Sequence, residues 1–275
     1  MTFAVAAIAE GNYDQIVPVS GPPELKRLAA TFNDMAVRVK LSQQRLRDFV
    51  ADVSHELRSP LTSIGGFAQA LLDGTAEDES TRRRAAQIIA DESRRVAAQV
   101  DELLDLSRVQ SGQISMSRDD LQLSGLVGLC SEVLSTRASD REVTLETDVP
   151  EGLCVIGDGD RLEQVIGNLL DNALKHSPPG GTIRVTARAA GMDRVELSVV
   201  DEGPGIPPDN LDHVFDRFYQ GAGVRTGAGL GLAIAREIVR AHGGSIRAAN
   251  GLEKGAVFTV RLPSCRRGVA GGQPQ

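Results

Sequence analysis

The sequence predicts two architectures in one chain: an α-helical hairpin that pairs with a second copy into a four-helix bundle, and then a domain of mixed α and β structure. Three observations predict this. At 275 residues the chain is too long for one small domain and suits two modest ones. From Leu46 the apolar residues keep a heptad rhythm, and a second periodic segment runs to Val109. After SGQIS (111–115) the texture changes to short strands and amphipathic helices parted by glycine-rich turns.

Composition narrows the function classes. Apolar residues make up 41% of the chain, but tryptophan is absent and aromatics reach only 3%, so the core must be Leu, Val, Ile and Ala. A net charge of −7 argues against a general binder of nucleic acid or of anionic membranes, which needs basic faces. Cys130, Cys154 and Cys265 are odd in number and show no CxxC or CxxH spacing, which predicts reduced thiols in a cytosolic protein. The longest apolar run, Phe3 to Ala9, holds seven residues, far below the roughly 20 that span a bilayer. It also lacks the basic flank and cleavage site of a signal peptide. The chain as it stands therefore reads as soluble and cytoplasmic.

In order along the chain, residues 1–45 hold two short amphipathic pieces around the connector GNYDQIVPVSGPP. The second piece spaces Leu25, Leu28, Phe32, Met35 and Val39 as a helix does. From Leu46 the seam runs Leu46, Val50, Val53, Leu57, Pro60 and Ile64, in alternating steps of four and three. GTAEDEST breaks it, and Ile89, Val96, Val100, Leu103 and Leu106 carry the seam of a second helix. A hairpin alone leaves this stripe wet, so a homodimer is expected. Beyond it come a helix over Ser124–Thr136, strands VTLETDV and LCVI, and a helix to Lys175 with Asp158 as its N-cap. TIRVTARAA and RVELSVVD form a hairpin, a helix covers Leu230–Ala241 up to Gly243-Gly244, and SIRAAN and AVFTVRLP close the domain. Residues 265–275 form a disordered tail.

One residue on the seam calls for chemistry. With Val50 and Leu57 at a, His55 falls at f, the most exposed heptad site, which argues against a buried core histidine. An ordinary surface histidine is the plainer reading, but Pro60 shifts the balance. It removes a donor and opens the helix one turn away, at a cost of about 3 kcal/mol. A zinc-protease HExxH fails, because position 59 is Ser. An exposed imidazole is a good nucleophile near neutral pH, and adjacent Glu56 can accept the proton it loses.

Ser54-His55-Glu56-Leu57-Arg58-Ser59-Pro60-Leu61 resembles the H-box of sensor histidine kinases of two-component systems. The resemblance implies that His55 accepts the γ-phosphoryl group of ATP with Glu56 as general base. A donor domain must then exist, and three segments qualify. Asn168, Asn172, Lys175 and His176 share one helix face, with amide oxygens suited to Mg²⁺ and a cation suited to phosphate. Asp201, Gly203 and Gly205 follow a strand, where the carboxylate can accept adenine's exocyclic amine. Gly227, Gly229 and Gly231 open a helix and offer backbone donors to phosphate. Phe215, Arg217 and Phe218 stand between the last two; the aromatics can anchor a mobile lid and Arg217 can reach phosphate. Each segment alone is also a polar helix face, a turn or a surface loop.

Their order resembles the N, G1, F and G2 boxes of the histidine kinase ATP-binding domain. The resemblance implies the Bergerat (GHKL) two-layer α/β sandwich shared with gyrase-type ATPases, with ATP and Mg²⁺ as cofactors. Mg²⁺ falls to Asn168 and Asn172, adenine to Asp201 and the phosphates to Gly227, Gly229 and Gly231. His176 stands where the family often has tyrosine. Residues 1–45 are similar to part of a HAMP relay, 46–112 to the dimerisation and phosphotransfer hairpin, and 113–264 to the catalytic domain. HAMP normally follows a transmembrane helix, so a membrane link is expected only through a missing N-terminal segment of a parent protein in the plasma membrane. The family's phosphatase position, four residues after the histidine, is Ser59 here instead of Thr or Asn. The implied activity is autophosphorylation of His55, then transfer to an aspartate of a response regulator. An ATP-binding dimeric scaffold and a gyrase-type ATPase remain as alternatives.

Overall fold

The computed structural model describes residues 16–110, 116–219, 221, 229–251 and 254–265. The chain divides into two compact units, residues 1–93 and 94–275.

In the first unit, α1 (Pro23–Leu72) is a single helix of 50 residues. Proline at its first position suits a site where the N–H has no helical partner. No glycine or proline then interrupts the sequence until Pro60, which is buried and passes without breaking the helix. The relay segment and the hairpin read from the sequence as meeting at 45/46 thus lie on one continuous rod. Asn33 clasps the incoming chain, accepting from the Val17 N–H at 2.9 Å and donating to the Val17 carbonyl at 2.9 Å. After Asp73 the chain turns at Gly74 (φ +80°). Asp78 caps the next helix, α2 (Glu79–Gln110), by accepting the Thr81 N–H at 2.8 Å. Its bonds to Ser80 and Thr81 hold the Asp78 carboxyl far below the usual carboxylate range.

The second unit is an α/β sandwich. Its elements after α2 are β1 (Asp119–Gln122), α3 (Leu123–Ser139), β2 (Thr144–Asp148), β3 (Cys154–Gly157) and α4 (Gly159–His176). Then follow β4 (Thr182–Ala189), β5 (Arg194–Val200), a 3₁₀ turn at Pro208–Asn210, α5 (Gly231–Ala241), β6 (Ser245–Asn250) and β7 (Ala256–Pro263). The main sheet has the order β2-β4-β5-β7-β6, with only β2 and β4 parallel. Alternation sets its inner face: Ile183 and Val185, Leu197 and Val199, Phe258 and Val260 are all buried. α4 covers that face because Leu162, Val165, Ile166, Leu169, Ala173 and Leu174 repeat with the helical period. α5 lies beside α4 and adds Ile234, Ile238 and Val239. On the outer face Glu196, 5% exposed, takes one guanidinium from each neighbouring strand: Arg188 at 2.5 Å and Arg261 at 2.7 Å. These bonds hold its carboxyl below the ordinary range.

β1 and β3 form a small antiparallel pair. β3 is tied to the end of β7 by a Val155–Ser264 bridge and by a disulfide between Cys154 and Cys265, with their Cα atoms 5.3 Å apart. This corrects two expectations. Only Cys130 keeps a free thiol, pushed up to about 11 chiefly by burial. Cys265 is buried and bonded instead of belonging to a disordered tail; residues 266–275 lie outside the described residues. Among the described residues, no helix is long and apolar enough to cross a membrane.

Candidate functional site

The predicted residues fall on both units. On α1, His55 is exposed, Glu56 beside it is half-buried, and Ser59 is exposed one turn on. That placement matches position f of the heptad, because the seam turns toward Val53, Leu57 and Pro60, which are half-buried to buried. The His55 side chain lies on the exposed side of α1, and Glu56 is its sequence neighbour.

In the second unit, a cavity of about 270 Å³ opens between α4, the β5–α5 connection and the start of α5. α4 positions one wall. Asp158 caps it by accepting the Arg161 N–H at 3.2 Å. The Asp158 N–H in turn donates to Nε2 of His242 at 3.0 Å, whose Nδ1 donates to the Ile238 carbonyl at 2.8 Å. The neutral Nδ1–H tautomer thereby links the start of α4 to the end of α5. Asn168, Asn172, Lys175 and His176 all line the cavity, as their spacing predicts. Asn168 donates its amide nitrogen to the Gly231 carbonyl at 2.9 Å, which leaves Oδ1 as the ligating atom. Burial lowers the pKa of Lys175 and, with the Lys175 charge adding to it, that of His176.

Asp201 stands at the end of β5, 2% exposed. Its Oδ1 accepts the N–H groups of Gly203 at 2.8 Å and Ala256 at 3.1 Å, so Oδ2 is left to accept from a ligand. Burial nevertheless raises its pKa, outweighing those bonds. Gly205, at φ +75°, lines the cavity, whereas Gly203 serves the turn that holds Asp201. Gly229 and Gly231 line the cavity from the start of α5, and Gly227 lies outside the described residues. Gly229 needs its missing side chain: at φ +68°, an added Cβ would fall 2.7 Å from the Phe218 carbonyl carbon. Of the lid residues, Phe215 is buried edge-on against Phe258, with ring centroids 6.2 Å apart, under the Arg236 guanidinium. Arg217 and Phe218 are half-buried, and Phe218 takes a left-handed φ of 59°.

Sequence reasoning missed the apolar part of the wall, Ile206, Val214, Leu232 and Phe258, because an apolar side chain carries no chemistry that marks it as a ligand contact. It also missed Glu102, which α2 brings to the cavity. An apolar slot with a buried carboxylate acceptor suits a flat, amine-bearing ring. Amide oxygens, one lysine and glycine N–H groups on α4 and α5 suit a polyanion accompanied by a hard cation.

Residues 157–266 match the family of histidine kinase-, DNA gyrase B- and HSP90-like ATPases, residues 45–112 the His Kinase A (phospho-acceptor) domain, and residues 4–40 the HAMP domain. The signal transduction histidine-protein kinase BaeS of Escherichia coli is 35% identical over 93% of this chain and 55% of its own length. The sensor histidine kinase TrcS of Mycobacterium tuberculosis is 40% identical over 83% of this chain and 46% of its own. The chain thus spans about half the length of these curated relatives. Among solved structures, the histidine kinase ThkA, crystallised in complex with the response regulator protein TrrA, aligns with a TM-score of 0.67 at 28% identity. That alignment covers 80% of this chain and 63% of ThkA. The Acinetobacter baumannii histidine kinase AdeS aligns at 0.62 and 28% identity, over 76% of this chain and 97% of AdeS.

Proposed function

Because this chain belongs to the sensor histidine kinases of two-component systems, we propose that it transfers the γ-phosphoryl group of ATP to His55 and then to an aspartate of a response regulator. The observation that carries the reading is the pairing of an exposed histidine beside a carboxylate with a cavity that offers Asp201 to a base and Asn168, Asn172 and Lys175 to a polyphosphate.

A ring nitrogen of His55 attacks the γ-phosphorus. An N–P bond forms as the P–O bond to ADP breaks, and ADP leaves with the electron pair. Glu56 takes the ring proton. Asp201 Oδ2 accepts the adenine amine, Gly205 lets the backbone approach the ring, and Lys175 with the N–H groups of Gly227, Gly229 and Gly231 holds the phosphates. The free Oδ1 of Asn168 and the amide oxygen of Asn172 fit Mg²⁺, which supplies charge neutralisation there. Phe215 and Phe218 anchor the segment that covers the phosphates, and Arg217 reaches them. Ser59 stands four residues after His55, where family members that also dephosphorylate their partner hold a water. The exposed apolar residues of α1 support a homodimer, with the regulator docking near His55. The HAMP match supports a membrane-anchored parent whose kinase domains face the cytoplasm.

The test is incubation with γ-labelled ATP and Mg²⁺, wild type beside His55→Gln. Label that survives alkali, is lost in acid and is missing from the variant is expected. Equal label in both proteins overturns the assignment of His55. Steady phosphate release with no phosphohistidine would identify a gyrase-type ATPase instead, and bound ATP with neither outcome a scaffold.

A further inference from the structure

Among the described residues, Glu102 is the one wall residue of the cavity that comes from α2. The last turns of α2 are docked along α4. Asp105 accepts from Gln164 at 3.2 Å and lies 3.5 Å from the Arg161 guanidinium, and Leu106 is 1% exposed. Glu102 precedes Asp105 by three residues and so shares its helix face. Asn168 follows Gln164 by four on α4. The helix therefore delivers a carboxylate to the level of the amide oxygens.

The charges around it are unequal. Three carboxylates line the cavity, on Glu102, Asp171 and Asp201. Asp171 is paired with Arg137 at 2.6 Å, and Asp201 accepts two backbone N–H groups. Burial raises the pKa of Glu102, and among the described residues no donor or cation offsets it. Lys175 is the sole lysine or arginine on the wall among the described residues, and His176 is held toward its neutral form. A bare polyphosphate entering this cavity would meet an uncompensated negative charge, whereas one carrying a divalent cation would meet an attractive site.

We propose that Glu102 is a positioning residue that couples nucleotide binding to a divalent cation: from α2 it repels the bare polyphosphate and faces the hydrated cation that accompanies it. The proposal rests on the reading of the cavity as an ATP site. It also means that the last turns of α2, the second helix of the phosphotransfer hairpin, tune the affinity of the ATP site.

The test is calorimetric titration of the full chain with ADP, once in excess Mg²⁺ and once in a chelator, for wild type, Glu102→Gln and Glu102→Asp. The readout is the ratio of the two affinities. For Glu102→Gln the metal-free affinity is expected to rise on the order of tenfold and the ratio to fall by a similar factor. Glu102→Asp, which keeps the charge, should retain most of the ratio. Asp105→Asn, which loosens α2 from α4, should lower it in the same direction. A Glu102→Gln ratio within twofold of wild type overturns the proposal while leaving the ATP site standing. Wild type that binds ADP under neither condition overturns both.

Discussion

The two units bury their apolar residues to very different degrees. In the α/β unit Leu169, Ile183, Val199 and Ile238 are 0% exposed, whereas on α1 Leu46 and Val50 are each 55% exposed. The sandwich covers its own sheet with α4 and α5, so its core is complete within one chain. The long helix carries a heptad stripe whose cover must come from elsewhere, and a second copy is the partner such a stripe fits. The comparison teaches a division of labour. The preorganised pocket sits in the self-sufficient unit, and His55, the proposed phosphoacceptor, sits on the unit whose apolar stripe a second copy fits.

The strongest way to break this contrast is to damage the complete core. Leu169→Ala should destabilise the sandwich by about 3 kcal/mol, seen as an early transition in chemical denaturation followed by circular dichroism. A loss under about 1 kcal/mol would show that the site is not close-packed. Next in size, Val50→Asp should weaken self-association roughly 30-fold, the equivalent of about 2 kcal/mol for one apolar side chain, with the sandwich transition unmoved. Sedimentation across a concentration series reads it, and an unchanged profile would mean that the α1 stripe is not the interface. The smallest effect sharpens the comparison through pH. Glu196 has a folded pKa below its ordinary 4.5, so its contribution is present above that value and lost as pH falls through the folded pKa. Glu196→Gln should remove about 1–2 kcal/mol at neutral pH and flatten the acid limb of the stability curve, because the two arginines left behind can rehydrate.

Much of this was legible from local pattern. α4 could be read because its apolar positions, its N-cap Asp158 and its polar face lie within one short segment, and the cavity residues followed from that face. The features that were not legible depend on partners distant in the chain. β1 is Asp-Asp-Leu-Gln, a sequence with no β-branched residue, and it is a strand only because β3 pairs with it. Glu102 reads as one acid among many on α2 until α2 is laid on α4. The continuity of α1 did carry a signal: Leu25, Phe32, Val39, Leu46, Val53, Pro60 and Phe67 recur every seven residues across the supposed boundary at 45/46. Ala29 and Ala36, both buried, fill the alternate seam positions that larger residues hold further on. Small residues weakened that half of the pattern, and the exposed polar Gln43, at the next alternate position, interrupted it.

The bond between Cys154 and Cys265 spans a sequence separation of 111 and encloses α4, α5 and the strands between them in one covalent ring. A protease cut anywhere inside that ring opens the loop without dividing the molecule. Such a nicked chain would migrate as one species on a non-reducing gel and separate into two fragments only after a thiol is added. The ATP-binding unit can therefore lose an internal peptide bond and still keep both sides of its nucleotide cavity on the same molecule.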